Sequence, residues 1–168
     1  EYIKKDGSRI PVIIGGALLP ESKNEGICFV IDISKRKKLE AHRLLLETMI
    51  QSVNDAIVSA SLDGIILSWN SGAEKIFGYS REEAIGNSIS IIHPKNNENE
   101  QKSLFEKVKT GESITDYESK RIRKNGDEFH AELNLTPLKD LNNQVIGIVG
   151  ICRDITPQVI AKQKLKES

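Results

Sequence analysis

The spacing of hydrophobic residues changes along the chain from a helical to a strand-like period, and this change predicts an order of elements. Between positions 35 and 52, Leu39 and Leu46 lie seven residues apart, with Met49 after them, which predicts an amphipathic helix. From position 56 onward, short apolar runs flank glycine-containing turns, as in antiparallel hairpins. The predicted strands are 56–62, 65–70, 114–123, 127–138 and 145–153, and the predicted helices are 35–52, two short ones that end at Gly78 and Gly86, 98–109 and 157–168.

Cap residues mark the ends of the predicted helices. We expect Ser71 to cap the first short helix, with Glu74 near the positive end of its dipole. Ser80 and Glu83 have the spacing of a capping box, which predicts where the second short helix begins. Pro157 suits the first turn of the closing helix. We expect Glu74 to form an ion pair with one basic residue of the later hairpin: Lys120, Arg121 or Arg123.

The order β-β-α-α-α-β-β-β predicts an α+β domain, in which short helices cover one face of a five-stranded antiparallel sheet. Within 127–138, Phe129 and Leu133 alternate with His130 and Glu132, which predicts one buried and one polar face. The last strand is apolar on both faces, and such strands are normally covered on both sides. We expect the second cover from the linker helix, the N-terminal residues or a partner chain.

Two parts of the chain repeat each other. Residues 4–12 (KKDGSRIPV) resemble residues 123–131 (RKNGDEFHA), and residues 30–34 resemble residues 152–156 in the same order. The first copy lacks the strands that would close a core, so its hydrophobic residues need a cover from the complete domain or a neighbouring chain. We interpret residues 1–34 as the C-terminal strands of a preceding domain of the same kind, 35–53 as a linker helix, 54–156 as the complete domain and 157–168 as the start of a C-terminal helix.

Composition narrows the classes of function. The 168 residues carry 24 Lys+Arg and 24 Asp+Glu, and this zero net charge argues against a nucleic-acid-binding surface. The longest apolar runs, 11–19 and 145–151, are too short to span a bilayer, and no signal peptide opens the sequence. We therefore expect a cytoplasmic fragment without membrane contact, whose parent protein can be anchored elsewhere. Cys28 and Cys152 lack metal-site spacing, and no metal site is predicted.

Several short signatures, in this order, resemble the PAS family of sensory domains. The resemblance covers about residues 48–156 in full and residues 1–34 as a PAS tail. It implies the PAS fold, a tandem arrangement, and a parent protein that is most often a histidine kinase of a bacterial or archaeal two-component system. It also implies that Asp154, Ile155 and Thr156 relay a signal from the sheet into the helix that follows. The signatures are Asp63-Gly64 through Trp69-Asn70, Phe77-Gly78-Tyr79-Ser80, Gly86, His93-Pro94, Arg123-Lys124-Asn125-Gly126 and Asp154-Ile155-Thr156.

Catalysis by this fragment is not expected. An enzyme needs a nucleophile, a base and an orienting group in one pocket, and the sequence has no phosphate loop or metal-ligand cluster. His42 lies in the linker helix without the neighbours of a kinase phosphoacceptor. His130 falls on the polar face of its strand, and His93 before Pro94 is interpreted as a turn residue.

The resemblance also suggests where cofactors bind in PAS domains. The haem ligand of oxygen-sensing PAS kinases falls at Gln101, and no histidine lies in 98–109, so haem of that type is not expected. The reactive cysteine of light-sensing flavin domains is absent from residues 87–90, so covalent flavin is not expected either. A non-covalent flavin, for which Trp69 is compatible, and an unknown small ligand stay open.

A ligand, where one binds, would occupy the hollow between sheet and helices. The alternative is a filled hydrophobic core without ligand. The candidate lining residues are Ile57, Ser59, Ile66, Ser68, Phe77, Ile89, Leu104, Phe105, Val108, Tyr117, Phe129, Leu133, Ile148 and Cys152.

The preferred interpretation is a sensory and dimerisation module that relays a signal to a downstream effector domain, most simply a histidine kinase. We expect a homodimer through the linker and terminal helices and the outer face of the sheet. The alternative is a PAS domain that senses a small molecule or cofactor directly.

Overall fold

A computed structural model describes residues 1–20 and 25–166, which form two compact units that divide between Thr48 and Met49. In the first unit, strands β1 (Tyr2–Ile3) and β2 (Arg9–Ile10) form one antiparallel pair. Strands β3 (Val12–Leu18) and β4 (Gly26–Asp32) form a second antiparallel pair. Helix α1 (Ser34–Ser52) follows them and agrees with the predicted helix 35–52.

The second unit contains the predicted five-stranded sheet, with helices inserted between its second and third strands in sequence. The strands have the order β6-β5-β9-β8-β7, and every neighbouring pair is antiparallel. The α+β class and the five-stranded antiparallel sheet are therefore confirmed. The strands are β5 (Ala56–Ser61), β6 (Ile66–Trp69), β7 (Ile114–Ile122), β8 (Glu128–Lys139) and β9 (Val145–Asp154). The helices are α2 (Ser71–Phe77), α3 (Arg81–Ala84), a 3-10 turn (Ile89–Ile92), α4 (Glu98–Lys109) and α5 (Thr156–Lys166).

Asn70, rather than Ser71, is the N-cap of α2. Its side-chain oxygen accepts the Ala73 N–H at 2.8 Å and also accepts the Ile57 N–H of β5 at 2.8 Å. A serine side chain is too short to reach both groups, so the asparagine fixes the start of the helix against the sheet. The expected cap at Ser71 was therefore wrong by one residue.

The other predicted caps agree with the structure, but the predicted ion pair of Glu74 does not. Ser80 and Glu83 form the expected capping box of α3. Gly78 ends α2 in the left-handed conformation, with φ of 81°, which glycine adopts without steric strain. Glu74 does not pair with a basic side chain of the β7–β8 hairpin. Its carboxylate accepts the Arg81 N–H at 2.7 Å and so joins α2 to α3.

The hydrophobic core lies between the sheet and the helices. The ring of Phe77 packs between those of Trp69 and Phe129 in tilted contacts, with centroid distances of 5.4 and 5.7 Å. Leu133 of β8 faces Cys152 of β9 in register, and these residues are only 4% and 5% exposed. The predicted alternation of buried and polar residues along β8 is confirmed.

The opposite face of the sheet is also apolar in part. Ile57 of β5 is in register with Ile151 of β9, and both are only partly covered. Val149 lies on the same face and is half-buried. Strand β9 therefore carries hydrophobic side chains on both faces, as its sequence predicts.

Hydrophobic side chains of the first unit are mostly exposed. Ile14 of β3 and Val30 of β4 are in register, and they are 56% and 46% exposed. Leu18 and Phe29 are exposed as well. A cover for these residues from the complete domain or a neighbouring chain stays a prediction.

Candidate functional site

A cavity of about 70 Å³ lies between the inner face of the sheet and the helices that cover it. The sheet supplies one wall, and α4 and the 3-10 turn supply the other. Most of the wall is apolar, and three polar side chains interrupt it. The lining residues are Val58, Ala60, Ile89, Ile92, His93, Gln101, Leu104, Phe105, Arg121, Leu135, Ile148 and Gly150.

Arg121 brings a charge into this wall, although it is only 3% exposed. Its Nη1 donates hydrogen bonds to Ser119 Oγ and to the Lys120 carbonyl oxygen, each at 2.7 Å. Glu100 of α4 supplies a carboxylate oxygen 3.5 Å from Nη1. Burial lowers the pKa of Arg121, and the nearby Glu100 carboxylate opposes that shift. The guanidinium remains charged because its ordinary pKa is far above neutrality.

His93 is the second polar group of the wall and is neutral near pH 7. Burial, reinforced by the positive charge of Arg121, lowers its pKa to about 4. Its Nδ1 lies 3.0 Å from the Ile89 carbonyl oxygen. Because a carbonyl oxygen only accepts, Nδ1 carries the proton and Nε2 is an acceptor.

Four of the sequence-predicted lining residues are in the cavity wall: Ile89, Leu104, Phe105 and Ile148. The other inward-facing candidates contribute to the surrounding core. Ile66, Phe77, Val108, Phe129, Leu133 and Cys152 are buried there, and Tyr117 packs against that core.

Ile57, Ser59 and Ser68 do not reach the cavity, which corrects their assignment. The buried residues of β5 are Ala56, Val58 and Ala60, so the inward phase is shifted by one residue. Ser59 and Ser68 bond to each other through their hydroxyl oxygens at 2.6 Å. Because both Ile57 and Val58 are apolar, the alternation of residues in β5 does not by itself determine which of them faces the core.

The sequence interpretation put Gln101 at the haem-ligand position but missed His93 and Arg121 as polar groups of the cavity. Arg121 is four residues after Tyr117 in the same strand, and residues an even number apart share a face. This spacing was the signal that a charged side chain points inward. The cavity residues not named among the sequence candidates are Val58, Ala60, Ile92, His93, Gln101, Arg121, Leu135 and Gly150.

Cys152 lies beside the cavity within the core, and its thiol is unreactive at neutral pH. Burial raises the pKa of its thiol to about 12. Since the thiolate is the reactive form, this side chain behaves as a small hydrophobic residue at neutral pH.

The predicted relay residues form a joint between β9 and α5. Asp154 accepts the Thr156 N–H at 2.9 Å. The Ile155 N–H donates to the His130 carbonyl oxygen at 2.9 Å, and the Thr156 hydroxyl accepts the His130 N–H at 3.0 Å. Thr156 is the first residue of α5, and its hydroxyl binds α5 to β8.

Arg123 joins this site to α2 and was not predicted to do so. Its guanidinium forms an ion pair with Asp154 and donates to the Ile76 carbonyl oxygen of α2. It also lies over the ring of Phe129, 4.2 Å from the centroid. The hydrogen bonds and ion pair of Asp154 lower its pKa although partial burial acts in the opposite direction. One side chain thus contacts the helical layer, the core and the last residue of β9.

The groups that would hold a metal or cofactor are few. Among the described residues, no three His, Cys, Asp or Glu side chains lie close enough to share a metal ion. Gln101 lies in the cavity wall at the position where the resemblance puts a haem ligand, and no cysteine lines that wall. The expectation of no haem and no covalent flavin stays a prediction. None of the helices in the described part of the chain has the length and hydropathy needed to cross a bilayer.

Comparisons with known proteins agree with this geometry. A family profile described as the PAS fold matches residues 44–155. The PAS domain of a Colwellia psychrerythraea protein is 32% identical and superimposes with a TM-score of 0.63, covering 71% of this chain and 98% of that one. The PAS domain of an HTR-like protein from Haloarcula marismortui is 22% identical with the same TM-score, and it covers 72% and 98%.

Curated relatives include signalling proteins. Two-component system protein A of Emericella nidulans is 30% identical, over 82% of this chain and 21% of that protein. Sensor protein FixL of Bradyrhizobium diazoefficiens is 26% identical, over 82% and 28%. A blue-light photoreceptor of Listeria innocua is 31% identical, over 59% and 39%. The chain thus spans well under half the length of these relatives. The resemblance seen over residues 48–156 is confirmed: the chain belongs to the PAS family.

Proposed function

We propose that this chain is a non-catalytic sensory module of a larger signal-transduction protein, and that it passes a change of state through the β9–α5 joint to a downstream effector domain. The effector that the relatives favour is a histidine kinase, since they include a two-component protein and a sensor protein. The observation that carries the proposal is the set of contacts around Arg123 and Asp154.

The joint can transmit movement because it is fixed on three sides. Arg123 contacts α2, Asp154 ends β9, and Thr156 begins α5. A shift of α2 or of the β7–β8 hairpin therefore changes the position of the Asp154 carboxylate, on which the first turn of α5 depends. Ion pairs of this kind, partly shielded from water, are stronger than exposed ones.

The first unit supports a tandem arrangement, because its strand–helix joint shares two local bonds with the joint of the complete domain. Asp32 accepts the Ser34 N–H at 2.8 Å, and Asp154 accepts the Thr156 N–H at 2.9 Å. The matching register is Val12 opposite Asp32 and Ala131 opposite Asp154.

A backbone bond is repeated as well. The Ile33 N–H donates to the Pro11 carbonyl oxygen at 3.0 Å, as the Ile155 N–H donates to His130. Pro11 and His130 occupy equivalent positions in the sequence repeat. These equivalences support residues 1–34 as the end of a preceding PAS domain.

Dimerisation is part of the proposed function. Helix α1 has no buried residue, and its Leu39, Leu46 and Met49 are exposed. The outer face of the sheet adds Ile151, which is also partly uncovered. A second copy of the chain, paired through the helices and this face, would remove these side chains from water.

Hydrogen exchange tests the relay. In Asp154→Asn, we expect the amides of the first turn of α5 to exchange at least about tenfold faster, because the carboxylate no longer holds Arg123 and Thr156 together. The matched control is Glu128→Gln, which removes the exposed ion pair with Lys120 in the same β7–β8 hairpin. Unchanged protection of α5 in Asp154→Asn would contradict the relay.

A further inference from the structure

Arg121 is a buried cation whose hydrogen-bonding capacity is only partly used. A guanidinium carries five N–H donors on three nitrogens. The bonds to Ser119 and Lys120, and the contact with Glu100, all involve Nη1. Among the described residues, Nε and Nη2 have no hydrogen-bond partner.

These two nitrogens still have accessible surface. Within residues 1–20 and 25–166, Ser34 Oγ is the side-chain polar atom that is fully enclosed and has no hydrogen-bond partner. Since Nε and Nη2 of Arg121 also have no partner, they cannot be fully enclosed. Arg121 is 97% removed from solvent, and it forms part of the cavity wall. Since Arg121 lines the cavity, we take the accessible edge formed by Nε and Nη2 to face it.

Glu100 balances the charge of Arg121 only in part. Its Oε2 lies 3.5 Å from Nη1, whereas charge-assisted hydrogen bonds are about 2.7–2.9 Å long. The same oxygen accepts a hydrogen bond from Asn97 Nδ2 at 3.1 Å. The Glu100 side chain is 19% exposed, so water also competes for it. A second anion beside Nε and Nη2 would complete the coordination of the guanidinium.

The cavity restricts what that anion can be. Its volume of about 70 Å³ is roughly half that of a cavity that holds benzene, about 150 Å³. The ligand must therefore be smaller than benzene, with at most about five non-hydrogen atoms. Apart from His93, Gln101 and Arg121, the lining is apolar, so part of the ligand must be hydrocarbon.

We propose that the cavity binds a short-chain monocarboxylate. The two oxygens of the carboxylate pair with Nε and Nη2 of Arg121, which form the edge that matches a carboxylate in a bidentate manner. The one- or two-carbon tail packs against Leu104 and Ile148 on opposite walls of the cavity. This assignment rests on the proposed sensory function, for which it names the class of stimulus.

Other ligands of similar size match the site less well. Nitrate has the charge and planarity but no tail for the apolar wall. Propionamide has the shape of propionate but not its charge. Hexanoate has both the charge and a hydrocarbon tail, but it is larger than the cavity. These three compounds are therefore the controls that define the class.

The test is a titration of the 15N-labelled 168-residue chain with acetate and propionate, followed at the amides of Leu104, Ile148 and Gly150. We expect saturable shifts with dissociation constants on the order of 1 mM, since five ligand atoms limit the affinity. Nitrate, propionamide and hexanoate should each bind at least about tenfold more weakly. The proposal is overturned if neither carboxylate saturates, or if propionamide binds as well as propionate.

Two variants assign the binding to the cavity. Arg121→Gln should weaken propionate binding at least about tenfold, while Arg153→Gln, which changes an exposed arginine on the other face, should not. Ala60→Leu fills the cavity and leaves Arg121 in place, so it should abolish binding even if Arg121→Gln fails to fold. Undiminished binding in Ala60→Leu would overturn the proposal.

The outcome is separable from that of the relay. The hydrogen-exchange test of Asp154 uses groups outside the cavity. If α5 still depends on Asp154 but propionate does not bind, the ligand class is wrong and the relay stands. If propionate binds but the exchange of the α5 amides does not change in Asp154→Asn, the ligand class stands and the relay is wrong.

Discussion

Two hairpins of this chain share a sequence pattern and a register but differ in burial. Leu133 opposite Cys152 in β8–β9 is 4% and 5% exposed, whereas the equivalent Ile14 opposite Val30 in β3–β4 is 56% and 46% exposed. In the complete domain, β5 and β7 flank the hairpin and helices cover its inner face. Alternation therefore specifies a strand pair, while the rest of the domain supplies its hydrophobic stabilisation.

Truncation of an equivalent residue in each hairpin gives the largest expected difference. Leu133→Ala should lower the free energy of unfolding of the complete domain by about 2–5 kcal/mol, because it leaves a cavity in the core. Ile14→Ala should leave that value unchanged. The fluorescence of Trp69, the single tryptophan, reports unfolding of the complete domain. Equal effects of the two substitutions would contradict the comparison.

A partly buried histidine gives the complete domain a pH dependence. His93 has a folded pKa of about 4, against 6.5 when unfolded, so the unfolded chain binds the proton more readily. Stability is therefore fully present above pH 6.5 and is lost as the pH falls toward 4, by up to about 3 kcal/mol.

Denaturation at several pH values, read by Trp69, measures this slope. His93→Gln should flatten the curve between pH 6.5 and 4. His42→Gln, which changes an exposed histidine of α1, serves as the matched control. The assignment to His93 fails if both variants keep the wild-type slope.

The exposed face of α1 should respond to charge through assembly rather than through folding. Leu46→Glu should weaken dimerisation at least about tenfold, because it places a charge in a desolvated interface, and it should not change the Trp69 transition. Leu141→Glu introduces the same charge in an exposed loop and should leave the dimer intact. Sedimentation over a range of concentrations measures both. An unaffected dimer in Leu46→Glu would place the interface elsewhere.

The smallest expected effect concerns one hydrogen bond that is present at the β9–α5 joint and absent from the equivalent β4–α1 joint. The His130 N–H donates to Thr156 Oγ1, but the equivalent Pro11 has no N–H, and Ser34 Oγ is buried without a partner. Pro11→Ala should supply the missing donor. Its gain of about 0.5–1 kcal/mol is offset by the greater freedom of the unfolded chain.

Exchange of the new amide at position 11 is therefore a better measurement than stability. Formation of the bond to Ser34 should protect this amide. In Thr156→Ala, the opposite change, the His130 amide should lose protection. Fast exchange at position 11 would show that the two joints are not equivalent.

The sequence predicted the fold well because local signals are strong where turns and caps occur. The turns at Gly64 and Gly126 and the capping box at Ser80 depend on residues close in sequence. The cap at Asn70 depends on β5, which is distant in sequence, and was therefore misplaced. Elements were predictable wherever a segment alone determines them.

The candidate site was less predictable than the fold. In β5, small and apolar residues follow each other, and only pairing with β9 determines that Val58 and Ala60 face inward. Arg121 is charged, and a charge normally indicates a solvated position. Its burial depends on Glu100, which lies in a different element.

The unequal environments of the two cysteines allow each hairpin to be observed separately. Cys28 of β4 is exposed, while Cys152 of β9 is buried with a thiol pKa of about 12. An alkylating reagent added to the native protein will therefore modify Cys28 alone, which provides a single attachment point for a spin label or dye. Once Cys28 is blocked, each later modification records an opening of β9, so the labelling rate of Cys152 counts how often the central strands separate.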